Sequence, residues 1–270
     1  MNKTTIEWVR NPDGTQGYTL SPETGCLNGC SYCWARGLAH GRLRGRMLAN
    51  TLVAPGCDPS DPFAPRFWPN RLAELHQVKG WERGRTLTIA RFEQKPRGIF
   101  LCDMGDLFGR LVPPEWTCSI LEAVKGCPQH RFYLLTKQPQ ELQKWSPFPP
   151  NAWVGVSAWD FWSYENACHY LQDVGATVKY ISLEPLLDWK IGEPTFYKVG
   201  GISWLIVGAQ TKPSVKVPGE WIDDIVSSAK SAGVAVFLKN SLRSLVEDEH
   251  FKFELLQEFP RSEAQDGKAA

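Results

Sequence analysis

The chain has 270 residues, 43% hydrophobic and 22% charged, with 30 Lys and Arg against 29 Asp and Glu and a formal net charge of +1. This composition supports a sizeable core and excludes a disordered chain, and no uncharged apolar run reaches the roughly 18 to 20 residues of a membrane span. Residues 1–10 are polar with no signal-peptide core, so the expectation is a cytoplasmic protein with no membrane association, whose eight cysteines act as free thiols or metal ligands rather than as a disulfide framework.

An early strand is expected near residues 17–20. It leads into Gly25-Cys26-Leu27-Asn28-Gly29-Cys30-Ser31-Tyr32-Cys33, three thiols at C-x3-C-x2-C spacing in a short loop that Asn28 and Gly29 allow to turn tightly. Such a loop can bring each thiolate to a separate corner of one iron–sulfur cube. A [4Fe–4S] cluster normally takes four cysteines, so a triplet leaves one iron open to an exchangeable ligand. A structural zinc site is the competing reading; it would need a fourth ligand such as His40 or Cys57, and common zinc spacings pair two C-x2–4-C units. Trp34, directly after the loop, reads as packing.

The near-zero net charge hides a local excess. Residues 24–98 carry 12 basic and 5 acidic side chains, whereas residues 99–270 carry 16 and 21. No acid lies between Thr24 and Cys57, and Arg36, Arg42, Arg44 and Arg46 fall in that window. Two readings stay open: a basic surface for a phosphate backbone or other anion, or a solvated helix face. The stretch 50–98 is proline-rich, then basic, and reads as an insertion between the first and second βα units, packed over or beside the site, with a helix around 70–79 and a β-like run at 85–91.

From residue 99 onward, β-branched and aromatic runs alternate with amphipathic stretches. Strands are expected at 99–103, 131–136, 152–157, 178–184, 203–208 and 234–238. Helical stripes follow Pro113-Pro114 (Trp116, Ile120, Leu121, Val124), recur at Phe161, Tyr164, Cys168 and Leu171, and again at Trp221, Ile225 and Ala229 ahead of Gly233. Cys118 and Cys168 read as core, and Cys102 as part of the second strand. Each strand ends in polar residues: Asp103 to Asp106, Thr136-Lys137, Ser157 with Asp160, Glu184, Gln210-Thr211, Lys239-Asn240. The expected fold is α/β, a partial or near-complete parallel (β/α) barrel of six to seven strands forming one domain over residues 1–259, with a frayed tail at 260–270. Polar strand ends suit the mouth of such a barrel, and an open doubly wound sheet would gather them similarly.

The triplet Cys26, Cys30 and Cys33, with Tyr32 before the third cysteine, resembles the signature of the radical S-adenosylmethionine superfamily. More narrowly, Thr4-Thr5-Ile6-Glu7-Trp8, Thr24-Gly25-Cys26, Met104-Gly105-Asp106-Leu107-Phe108, Leu135-Thr136-Lys137, Trp153-Val154-Gly155-Val156-Ser157, Ser182-Leu183-Glu184-Pro185-Leu186 and Leu205-Ile206-Val207-Gly208 resemble a family of phage-type and bacterial proteins known mainly as a domain of unknown function. The resemblance implies a [4Fe–4S] cluster on Cys26, Cys30 and Cys33, with S-adenosylmethionine chelating the open iron. One-electron cleavage would give methionine and a 5′-deoxyadenosyl radical, and the electron would come from a flavodoxin- or ferredoxin-like donor.

Under that resemblance Met104-Gly105-Asp106 stands where the superfamily has a Gly-Gly-Glu-like element. Gly105 would let the backbone approach the ligand and Asp106 would accept from its ammonium group; otherwise Asp106 caps the following turn. Lys137 would meet the ligand carboxylate or pair with an acid such as Asp106. Ser157 would reach a ribose hydroxyl or be an internally satisfied hydroxyl. Glu184, an acid closing an apolar run, would contact ribose or substrate. Gly208 and Ala209 leave room for adenine to stack, and Gln210, Lys239 and Asn240 remain substrate candidates. The leading function is radical modification or repair of a substrate, with a nucleic acid or nucleotide as the class the basic block favours. The alternatives are the same chemistry on a peptide or small metabolite, or a non-catalytic nucleic-acid-binding protein with structural zinc.

Overall fold

Runs of β-branched and aromatic residues become strands here because both of their faces are buried, which also makes them nearly continuous apolar runs. The computed structural model describes residues 1–75, 95–193, 200–246 and 255–260. In chain order the strands are β1 (Asn2–Lys3), β2 (Tyr18–Leu20), β3 (Glu23–Thr24), β4 (Arg66–Phe67), β5 (Gly98–Leu101), β6 (Arg131–Thr136), β7 (Ala152–Ala158), β8 (Val178–Leu183), β9 (Trp204–Val207) and β10 (Ala235–Leu238). The α-helices are α1 (Trp34–His40), α2 (Arg44–Leu48), α3 (Pro69–Leu72), α4 (Pro114–Lys125), α5 (Phe161–Leu171), α6 (Gly219–Ala232) and α7 (Leu242–Leu245). The fold is α/β, with an eight-stranded, mostly parallel sheet ordered β1-β2-β5-β6-β7-β8-β9-β10 and a two-stranded β3-β4 sheet. Seven of those strands, β2 and β5 to β10, follow one another in the order expected of repeated βα units.

The chain divides into two compact units, Met1–Leu134 with Pro149–Ala152, and Leu135–Phe148 with Trp153–Ala270. In the first, β5 runs parallel to β2 and β6, and β1 adds an antiparallel edge. The ring of Trp8 sits 5.0 Å from Phe100 and 5.7 Å from Tyr133, so the segment after β1 closes over the strands. Helix α4 starts at Pro114, where the missing N–H is harmless, and buries Ile120, Leu121 and Val124 as the spacing requires. In the second unit β7, β8, β9 and β10 are parallel neighbours. Helix α5 buries Phe161, Tyr164, Cys168 and Leu171, and α6 buries Ile222, Ile225 and Ala229.

Several expectations need correction. Cys102 lies past the end of β5 with φ +57°, so it is a strand-end residue and not part of the strand. Cys118 is exposed on α4, because it falls on the face opposite Ile120 and Val124. Trp34 is 54% exposed rather than packed. Asp160 belongs to helix α5: its carboxylate accepts from the Ser163 N–H at 2.7 Å, and a capping box results. The helix expected around 70–79 is seen as the short α3, and residues 76–79, the run at 85–91 and the tail from 261 lie outside the described residues.

The described part of the proline-rich stretch is organised by one side chain. Arg66 is fully buried, and its guanidinium donates to the carbonyl oxygens of Asn50, Pro59, Asp61 and Ala64 at 2.6 to 3.2 Å. A loop poor in N–H donors exposes carbonyls that a five-donor guanidinium satisfies at once. The strand that carries Arg66 pairs antiparallel with β3, with Thr24 opposite Arg66 and Glu23 opposite Phe67. The insertion is thereby fastened to the two residues that lead into the cysteine loop.

Candidate functional site

The cysteine loop is fixed at its entry by backbone. Gly25 has φ +89° and bridges Gly105, its N–H donating to the Met104 carbonyl at 2.9 Å; the Cys26 N–H donates to the Phe63 carbonyl at 3.1 Å. Any side chain at Gly25 would collide with the Ala64 carbonyl, so both the positive φ and the close approach require glycine. At the exit Cys33 is the N-cap of α1, its sulfur accepting from the Arg36 N–H at 3.3 Å. Arg36 also ties back to the start of the loop, its Nη2 donating to the Cys26 carbonyl at 3.2 Å. Beneath the loop, Ala35, Ala39, Met47 and Phe63 form an apolar cluster against which Cys26, Cys33 and Met104 pack.

Cys26, Cys30 and Cys33 are all free thiols and partly exposed. Burial pushes the Cys26 thiol up to about 12, with the Asp106 and Glu23 carboxylates adding to the shift. A metal binding there displaces that proton, because a coordinated thiol ionises outright. Among the described residues no three His, Cys, Asp or Glu side chains ring one point closely enough for a single metal ion.

Asp106 and Gly105 are brought to this loop, but Asp106 is already engaged. Its Oδ2 accepts from Asn28 Nδ2 at 2.9 Å and its Oδ1 from the Phe108 N–H at 3.2 Å. It therefore both caps the following turn and ties down the cysteine loop. Glu23, which the sequence reading passed over, lies next to it. This residue is 0% exposed, with the Cys102 thiol and the Asp106 backbone beside its carboxyl. It packs straight against Gly105, where a Cβ would drive into the carboxylate. Burial, and then the Asp106 charge, raise Glu23 well above the ordinary carboxylate range. Burial and the Glu23 charge likewise keep Cys102 a thiol. The signal available in sequence was an acid two residues before Gly25-Cys26 inside a segment otherwise fit for burial.

These features test whether the residues suit a [4Fe–4S] cluster with S-adenosylmethionine. Three soft thiol donors on one short loop, and a glycine at Gly105 whose missing side chain leaves the backbone open beside that loop, suit such a group, and they fit.

The remaining candidates fall in the second unit. Lys239 pairs with Glu184, the two side chains being 17% and 30% exposed. A Cβ on Gly208 would lie 2.9 Å from Lys239 Cδ, so this glycine leaves space for the pair. Ala209 is buried, its N–H donating to Ser241 Oγ at 3.2 Å. Ser157 is 9% exposed on β7, in register with Ser182 of β8. Lys137 places its ammonium 5.0 Å from the Trp159 ring centre. Gln210 donates to the Pro213 carbonyl at 2.9 Å. No helix among the described residues is long and apolar enough to cross a membrane.

The family model described as "Protein of unknown function (DUF5131)" matches residues 3–250. No curated protein matches the chain significantly. Among solved structures, the chain is similar to a mutant spore photoproduct lyase with bound AdoMet and dinucleoside spore photoproduct, at 11% identity and a TM-score of 0.41, over 90% of this chain and 64% of that one. The chain thus spans less than two thirds of the length of that structure.

Proposed function

The chain belongs to the DUF5131 family, whose model covers residues 3–250, and we propose that it is a radical S-adenosylmethionine enzyme that acts on a polyanionic substrate, a nucleic acid or nucleotide. The observation that carries this reading is the C-x3-C-x2-C loop, which the Gly25–Gly105 bridge and the Asn28–Asp106 contact hold beside the buried acid Glu23. Cys26, Cys30 and Cys33 would hold the cluster. Bound there, the cluster and S-adenosylmethionine supply one-electron reductive cleavage of a carbon–sulfur bond, with the electron delivered by a flavodoxin- or ferredoxin-like donor.

The chain's own residues position and shield. Asp106 keeps Asn28, and with it the middle of the loop, in one place. Arg36 ties the carbonyl of the first cysteine to the helix that follows the third. The apolar cluster of Ala35, Ala39, Met47 and Phe63 excludes water from one side of Cys26 and Cys33.

The substrate class rests on charge. Arg42, Arg44 and Arg46, on and beside α2, are exposed and follow the cysteine loop with no acid in the same stretch. Phosphates contacted by such a face would make binding fall steeply with salt. The experiment for the reading is anaerobic reconstitution with iron and sulfide followed by reduction with dithionite in the presence of S-adenosylmethionine. Wild type is expected to release 5′-deoxyadenosine and Cys30→Ala none; equal release from both would overturn the ligand assignment.

A further inference from the structure

Resting on that reading for the class of substrate, we propose that the outward sides of α1 and α2 form a binding face for a single-stranded nucleic acid, whose bases stack on Trp34 and whose phosphates meet Arg42, Arg44 and Arg46. The two helices share one apolar side: Ala35 and Ala39 of α1 pack with Met47 of α2 and with Phe63. The turn between them is closed by two backbone bonds, from the Leu43 N–H to the Leu38 carbonyl and from the Arg44 N–H to the Gly41 carbonyl, both at 3.0 Å. The other side is left to solvent. It carries Trp34, 54% exposed and next in sequence to the third cysteine, then Gly37, Gly41 and Gly45 and the three arginines, all exposed.

The fold itself uses none of these groups. Arg36, in the same acid-free window, is spent on structure, bonded to the Cys26 carbonyl and lying 4.9 Å from the Phe63 ring centre. Among the described residues Arg42, Arg44 and Arg46 form no ion pair, and Asp61, the acid that reaches α1, meets His40 at 3.3 Å instead. Arg46 faces a like charge. Arg71 is held over the Trp68 ring at 4.2 Å and against the Ser21 carbonyl, and burial, then the Arg46 charge, bring it down to about 10. Asp103 also acts on Arg71, but its carboxylate already accepts from the Ser21 hydroxyl. Neighbouring guanidiniums suit a shared anion, and their planar forks match phosphate oxygens in pairs; the window holds four arginines and no lysine. Gly37 and Gly45 each cost their helix about 1 kcal/mol relative to alanine. Neither has a positive φ, and a Cβ on either would meet nothing within 4 Å, so they serve no internal packing and leave backbone open to close approach from outside. The exposed indole decides between polyanions. A flat ring can stack on an unpaired base, whereas a duplex or an acidic protein surface answers the arginines and leaves the ring in water.

The test is fluorescence anisotropy of the reconstituted full-length chain with an oligothymidylate of about 20 nucleotides, an abasic strand of the same length and a duplex of the same length. Release of 5′-deoxyadenosine is measured on the same preparation. Wild type is expected to bind the oligothymidylate at least about 10-fold more tightly than either other probe. Trp34→Ala is expected to lose about 5- to 100-fold on the oligothymidylate and Trp34→Phe to recover most of it, while both bind the abasic strand within about twofold of wild type, which shows that they fold. Replacing Arg42, Arg44 and Arg46 together by Gln is expected to weaken all three probes and to lower the slope of log Kd against log salt by about 2. The assignment is overturned by an oligothymidylate affinity unchanged in Trp34→Ala or by a duplex bound as tightly as the single strand. Displacement of the strand by polyglutamate at equal charge also overturns it and marks an acidic protein as the partner. These outcomes hold whether or not S-adenosylmethionine is cleaved. Preference for the single strand in a wild type that releases no 5′-deoxyadenosine supports the face and removes the enzyme reading alone.

Discussion

Asn28 and Asp106, 78 residues apart in the chain, meet side chain to side chain, Nδ2 of Asn28 donating to Oδ2 of Asp106 at 2.9 Å. A residue in the middle of the cysteine loop is thus anchored to the turn after β5 by a hydrogen bond to a buried acid. Bonds to charged groups are worth about 1.5–3 kcal/mol, so losing this one loosens the loop by roughly 10- to 100-fold in its closed population. Asp106→Ala and Asn28→Ala are each expected to speed loss of iron to a chelator after reconstitution, and the double variant to be little worse than either single one. Additive effects would show that the contact does not couple the two residues.

Gly105→Ala is expected to destabilise the chain by about 1–3 kcal/mol, because its Cβ would enter the Glu23 carboxylate. Shortening the partner should relieve this. Urea unfolding of Gly105→Ala, Glu23→Ala and the double variant checks it: the double variant is expected to be more stable than the sum of the two single losses.

His130 gives a pH dependence with a defined sign. It is buried, its Nδ1 accepts from the Arg97 N–H at 3.2 Å, and burial with the nearby Arg97 charge lowers it from 6.5 to about 4. Between those values the unfolded chain holds more protons than the folded one. Stability therefore rises with pH across that window and is lost as pH falls from about 6.5 towards 4, by about 1–3 kcal/mol. Urea midpoints from pH 7 to 4.5 are expected to fall more steeply for wild type than for His130→Gln.

The Glu184–Lys239 pair is half-buried, between the regimes in which ion pairs contribute little and in which breaking them is severe. Lys239→Met is expected to cost about 1–2 kcal/mol in the cluster-free chain, and adding Glu184→Gln to restore part of it. A double variant less stable than Lys239→Met would show that Glu184 has another partner of equal weight.

Most of the sheet was legible in sequence because its strands are short apolar runs bounded by turn residues. Six expected strands match β5 to β10 to within two residues at each end, and the seventh matches β2. What escaped is whatever depends on pairing at a distance. Strands β3 and β4 have two residues each, too short for any periodicity, and exist because Glu23-Thr24 meets Arg66-Phe67 across the insertion. Helix α1 has a glycine in its middle and only Ala35 and Ala39 buried, so it shows no apolar stripe. At the site, the thiols and Gly105 carry local spacing signals. The burial of Glu23 against Gly105 does not, since it follows from strand pairing that forms only after the chain has folded.

The metal content of the cysteine loop most directly tests whether Cys26, Cys30 and Cys33 hold a cluster. Anaerobically reconstituted wild type is expected to hold about four irons and about four sulfides per chain, with broad visible absorption that dithionite bleaches, and Cys26→Ala, Cys30→Ala and Cys33→Ala each to lose most of both. One zinc per chain with no chromophore, or iron and sulfide undiminished in those variants, would contradict it.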